Sequence, residues 1–183
     1  MLIRFMLCAA MLVAAPAFGQ QDTTVYLTLE QAPKAVFPGA DTIERKDVES
    51  TPEFRQQLKT KLGRLEPSVW EPTYITFTAH QHGQVIGHAV VVEEIGKHRP
   101  FTLIVSTTPD AKVRDVAVMV YREARGGEIT QRRFLAQYKG KRAQDPMLLD
   151  RDIVGISGAT LSVQGASRAV HKALAILQLV YGS

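Results

Sequence analysis

Residues 152–165 read DIVGISGATLSVQG, and in them Ser157, Gly158, Ala159 and Thr160 stand together just before a long amphipathic stretch. Small residues at the entrance to a helix leave backbone N–H groups open and a hydroxyl uncovered, which is the chemistry that holds a phosphate. Gly158 and Ala159 leave room for a bulky group to approach the backbone. Ser162 stands where it would cap a helix starting at Val163, and a phosphate esterified on Thr160 would face the positive end of that helix. An ordinary glycine turn into a capped helix has the same residues, so this stretch alone leaves both readings open.

Other chemistry is weaker. His80 and His82 would point to one side of a strand, with His88 in reach across a hairpin, a spacing that resembles metal ligands. No Asp, Glu or Cys completes the set nearby, so the three read as polar residues flanking a turn at Gly83, and no metal is expected. His171 reads as solvated on the polar face of the last helix. The chain has no G-x-x-x-x-G-K-[ST], G-x-G-x-x-G, C-x-x-C or H-E-x-x-H motif. GISGA misses the nucleophile elbow because the second glycine follows Ser157 directly, which leaves a serine hydrolase unsupported.

The elements that must position these residues follow from periodicity and punctuation. TVYLTLEQAPKAVF predicts a strand leading into a short helix, DTIERKDVES a polar strand, and TPEFRQQLKTKLGRL a helix capped by Thr51, opened by Pro52 and stopped at Gly63. From Tyr74 the pattern turns to strands: TYITFTAH, QVIGHAVVVEE, PFTLIVST and VRDVAVMVY, the last with Val116, Val118 and Val120 on one face. Short turns join these runs, which predicts an antiparallel sheet. REARGGE is a loop at Gly126 and Gly127, and ITQRRFLAQYKGK suits a short helix. Apolar residues from Val163 to Val180 at helical spacing predict a long C-terminal helix lying on the sheet. The expected fold class is α+β: an antiparallel sheet, the C-terminal helix packed on it, and a small N-terminal α/β extension.

The first twenty residues, MLIRFMLCAAMLVAAPAFGQ, carry Arg4, an apolar run from Phe5 to Ala15, and small residues Ala17 and Gly19. That is the layout of a signal peptide cleaved after Gly19, and the apolar run is about half of the roughly 20 residues needed to span a bilayer. Residues 1–19 are thus expected to be removed on export, leaving residues 20–72 as an accessory segment and residues 73–183 as the main domain. Cys8, the only cysteine, leaves with the signal, so no disulfide or thiolate metal site is expected. The formal net charge of +4 is mild, its basic residues are scattered, and few aromatics accompany them, which argues against nucleic-acid binding.

SGATLS after a strand-rich region resembles the flavin-attachment motif of the FMN-binding domain family, whose members include periplasmic subunits of membrane electron-transfer complexes such as sodium-translocating quinone reductases. The resemblance extends through GKH at Gly96–His98, VYREARGGEI at Val120–Ile129, RRFLAQYKGK at Arg132–Lys141 and DPMLLDRDI at Asp145–Ile153, covering residues 73–181. It implies FMN held by a phosphoester on Thr160. An exported FAD:protein FMN transferase would make that bond, releasing AMP. Ser157, Gly158, Ala159 and Ser162 would lie around the phosphate, and Lys97, Arg122 and Lys141 would be the balancing cations. Glu123 and Glu128 would orient them, His98 would hydrogen-bond flavin or phosphate, and Gly126 and Gly127 would allow close approach. The motif usually reads D-x-x-S/T-G-A-T; Val154 stands at its Asp position, and Asp152 lies two residues earlier.

The resemblance implies a periplasmic electron carrier serving redox partner proteins, membrane-bound ones among them, rather than an enzyme with its own substrate. The alternatives are a non-covalent binding or scaffold protein of the same fold, and a reductase acting on a small acceptor.

Overall fold

The computed structural model describes residues 23–182; the expected signal peptide lies outside them. Six strands form one antiparallel sheet: β1 (Thr24–Val25), β2 (Thr42–Glu49), β3 (Thr73–Gln81), β4 (Gln84–Ile95), β5 (Pro100–Thr107) and β6 (Val113–Tyr121), in the spatial order β1-β6-β5-β4-β3-β2. Helices α1 (Gln31–Val36) and α2 (Pro52–Leu62) lie between the early strands, and α3 (Arg132–Leu135) and α4 (Thr160–Tyr181) follow the sheet. The α+β class and the antiparallel pairing are as the alternation of residues predicts.

Each face of the sheet carries its own core. Val90 and Val92 of β4, Leu103 and Val105 of β5, and Val116 and Val118 of β6 pack with α4 and with Leu58 and Leu62 of α2. On the other face Ala89, Ile104, Ala117 and Met119 pack with Ala32, Val36 and Phe37 from α1 and its end. β2 pairs with β3 from Thr42↔His80 to Glu49↔Thr73, so the N-terminal residues extend the same sheet. Helix α2 runs as its sequence predicts, with the Thr51 hydroxyl accepting from Phe54 N–H and Gly63 at the stop.

Val120 departs from the expected face. Leu103 pairs with Val118 and Thr102 with Val120, so Met119 is an extra residue, a β-bulge that turns the strand. Val120 packs with the α1 side and Tyr121 returns to the α4 side. The helix expected over ITQRRFLAQYKGK is broken into a 3₁₀ turn (Gly127–Thr130), the single turn α3, and a second 3₁₀ turn (Ala136–Tyr138).

Helix α4 starts at Thr160, three residues before its expected start, with Ala159 as a cap that makes no side-chain bond. Ser162 is therefore inside the first turn and is not a cap. His171, expected to be solvated, is 7% exposed, because the loop around Pro146 covers that side of the helix and its Nε2 donates to Pro146 O at 3.2 Å. Lys172 is fully buried; its ammonium donates to Val69 O (3.0 Å), Glu93 O (2.6 Å) and both carboxylate oxygens of Glu71. Buried Glu94 accepts from Ser68 N–H at 2.8 Å and lies 3.6 Å from Arg168 Nε.

Two histidines near α4 give stability a pH dependence. Burial lowers the pKa of His171, outweighing its backbone hydrogen bonds, and burial followed by the charge of His80 lowers that of His88, whose ring stacks on Tyr181 at 3.8 Å. Both hold fewer protons folded than unfolded, so their contribution is complete above the unfolded value of about 6.5 and is lost as pH falls below it. Tm is expected to fall between pH 7 and 5.5, above the carboxylate range. The double variant His88→Phe with His171→Gln, keeping the stack and the Pro146 bond, is expected to flatten that slope in thermal scans.

Candidate functional site

Three segments distant in the chain meet at the first turn of α4. The β4–β5 hairpin brings Gly96, the bulged end of β6 brings Tyr121, and the loop that follows brings Gly126. A Cβ on Gly126 would lie 2.6 Å from Ser162 Oγ and 2.8 Å from the Tyr121 hydroxyl; a Cβ on Gly96 would lie 3.2 Å from Ser162 Oγ and 2.8 Å from Glu123 Oε1. At Gly126 a side chain would clash, and at Gly96 it would push the Glu123 carboxylate aside. Tyr121 hydroxyl donates to Arg125 O at 2.7 Å and shares a 3.2 Å bond with Ser162 Oγ, while burial raises its pKa. Ser162 is thus the buried post against which both loops are set.

Glu123 shapes the hairpin. Burial alone would raise its pKa, but its carboxylate accepts backbone N–H bonds from Lys97, His98 (2.9 Å) and Arg99 (3.3 Å), and these hold it below the ordinary value. The side chains of Lys97 and His98 are exposed. Gly126, at φ 80°, also sits in the left-handed region. Gly126→Ala adds a clash to backbone strain and is expected to cost about 2–4 kcal/mol in a urea-denaturation comparison.

In front of this knot runs an open cleft with two lobes. The first, about 520 Å³, is walled by Arg125, Gly126, Gly127 and Glu128 on one side and by Ser157 and Gly158 on the other. Gly158, at φ 79°, has no atom within 4 Å of where a Cβ would stand, and Thr160 is exposed at the first residue of α4. The second lobe, about 420 Å³, shares Glu128 and Gln131 with the first and adds Phe134, Gln137, Val154 and Ile156. One lobe is rich in glycine and backbone; the other has an apolar floor rimmed by carboxamides. Gln137 fixes the far wall, its Oε1 accepting from Val154 N–H at 2.7 Å and its Nε2 donating to Val154 O at 3.4 Å. Val154 itself is 74% exposed at this wall.

The structure therefore brings together Ser157, Gly158, Gly126 and Gly127 at the cleft, with Thr160 exposed two residues beyond Gly158 and with Ala159, Ser162 and Glu123 behind them. It does not bring Lys141 there: Lys141 O accepts from Val113 N–H, and Val113 begins the strand that ends at Tyr121, about 26 Å away by strand rise. Arg122 turns onto the sheet, donating to Pro100 O and Thr102 Oγ1 at 3.1 Å each and lying 3.6 Å from Glu93. Asp152 closes its own loop, accepting from Leu148 N–H at 3.0 Å. Sequence reasoning missed Tyr121, Gly96 as a contact point, and the second lobe with Phe134 and Ile156. The VYREARGG block contained Tyr121, but only the bulge aims it.

Comparison with known proteins agrees with this geometry. The family model described as the FMN-binding domain matches residues 96–175, a span that opens at the Gly96 contact and includes both lobes and most of α4. The crystal structure of Shewanella oneidensis NqrC has the same fold, with a TM-score of 0.55 and 15% sequence identity over 81% of this chain and 86% of that one. No curated protein matches the sequence. Over residues 96–175 the chain is similar to the FMN-binding domain family.

Proposed function

We propose that this protein is an exported, periplasmic flavoprotein that carries FMN covalently on Thr160 and passes electrons between redox partners. The observation that carries the reading is an exposed threonine at the first residue of a 22-residue helix, two residues past Gly158 in the wall of a cleft whose near lobe is rich in glycine. The residues fit the group. Gly126, Gly127, Ser157 and Gly158 would hold the phosphate and its chain, with Arg125 on the same wall and the positive end of α4 behind. The apolar floor of the far lobe suits a flat aromatic ring, with Gln131 and Gln137 at its rim.

Attachment would be a phosphoryl-group transfer. The Thr160 oxygen bonds to the FMN phosphorus of FAD, the bond from that phosphorus to AMP breaks, AMP leaves, and the hydroxyl proton passes to a base of the FAD:protein FMN transferase. A tether substitutes for affinity in a compartment where free FMN would be diluted away. FMN, once bound, supplies one- or two-electron chemistry. The chain's part is to hold the phosphate, cover one face of the ring with Phe134 and Ile156, and set the local charge. The redox partners, membrane-bound ones included, would supply and take the electrons.

The test is the visible spectrum of the protein co-produced with a flavin transferase. Flavin bands that bleach with dithionite and stay with the chain after denaturation support the reading; a colourless chain, or flavin released on denaturation, contradicts the covalent carrier.

A further inference from the structure

Glu128 is the one acidic side chain that lines both lobes of the cleft. It is exposed, on a 3₁₀ turn held by fully buried Ile129, by Thr130 Oγ1 donating to Gly127 O at 2.7 Å and by Gln131 N–H donating to Glu128 O at 3.1 Å. That turn presents the carboxylate where the glycine-walled and apolar halves join. Among the described residues it forms no ion pair, whereas Glu123, five residues earlier, is used up by three backbone N–H groups. Nothing in the packing of the turn requires a carboxylate there, because the anchoring side chain is Ile129.

We infer that Glu128 sets the reduction potential of the flavin in this cleft, holding it low through its negative charge. The inference rests on the flavin reading above and deepens it. A carboxylate within a few ångströms of a ring that gains charge on reduction disfavours the reduced form, and the effect is stronger in a cleft with an apolar floor than in open water. The other charged or titratable groups facing this position are Arg125 on the preceding loop, Arg133 after α3 begins, and the Tyr121 hydroxyl, which feels the charges of both Glu123 and Glu128. The cations oppose Glu128, so deleting its charge leaves them unopposed and moves the potential upward. Ser157 and Gly158 on the far wall bring no charge.

The test uses full-length chain co-produced with a flavin transferase, whose flavin load is read by intact mass, and midpoint potentials from dithionite titration against a reference dye. Glu128→Gln is expected to raise the midpoint at pH 8 clearly above that of the parent. Glu128→Asp, which keeps the charge, is expected to stay close to the parent, and Glu44→Gln on the exposed far edge strand is expected to change nothing. A loaded Glu128→Gln protein with an unchanged midpoint, or a Glu128→Asp protein whose midpoint rises as far as that of Glu128→Gln, overturns the inference and leaves the flavin reading standing. A parent chain that takes no flavin overturns both.

Discussion

Lys172→Met is expected to destabilise the fold by about 3–5 kcal/mol, the cost of deleting one partner of a buried ion pair. The ammonium is fully buried, sits 2.9 Å from Glu71 Oε2, and also satisfies the carbonyls of Val69 and Glu93. Methionine fills most of the volume but supplies no donor, so the Glu71 carboxylate, only 13% exposed, is left with its charge and one remaining N–H bond from Glu93. The companion change Glu71→Gln removes the orphaned charge, so the double variant is expected to recover part of the loss, a coupling that urea-denaturation midpoints of the four proteins resolve. The consequence reaches the cleft. Lys172 lies twelve residues, about 18 Å, along α4 from Thr160 and fixes the helix on β4 from its middle; the Ser162 contacts fix it at the start.

Much of this architecture is legible in the residues. Thr51, Pro52 and Gly63 mark both ends of α2, because capping is a local interaction between residues three or four apart. The four long strands from Thr73 to Tyr121 follow from alternation and turns. What misleads is a local signal taken over by a distant partner. Ser162 looks like a cap, but its hydroxyl is bound by Tyr121, forty-one residues upstream. His171 reads as solvated on the polar face of the helix, yet Pro146 from another segment closes over it, and Val69 and Glu71 enclose Lys172 beside it. Val120 breaks its expected alternation because a bulge inserts Met119, which no single-strand pattern reveals.

The candidate site divides in the same way. The small residues before α4 announce an open, phosphate-sized approach to the backbone, and Gly126 and Gly127 announce a loop. Lys141 and Arg122 suit the part of cations in sequence because each lies near a glycine that allows close backbone approach, but nearness along the chain carries no distance in the fold. The apolar lobe is invisible in sequence because Phe134 and Ile156 are ordinary core residues until the broken helix around α3 and the chain before Ser157 are set opposite each other.

Thr160→Ala is expected to abolish covalent flavin while leaving the fold intact. Thr160 is exposed, and Ala159 rather than Thr160 occupies the cap position, so losing the hydroxyl removes no buried contact and costs well under 1 kcal/mol by the usual size of surface substitutions. With flavin attached as proposed, the expected loss is total, since Ser162 is 3% exposed and engaged with Tyr121, and Ser157 stands across Gly158 and Ala159 from the helix start. Thr160→Ser keeps a hydroxyl and is expected to accept flavin.

The decisive measurement of covalent flavin on Thr160 is the intact mass of the chain produced in an exporting host together with an FAD:protein FMN transferase. The chain is expected to be heavier than its bare processed sequence by one FMN less one water, with the addition localised to the peptide holding Thr160 and absent in Thr160→Ala. A bare-chain mass for the parent protein, or an addition that survives in Thr160→Ala, would contradict it.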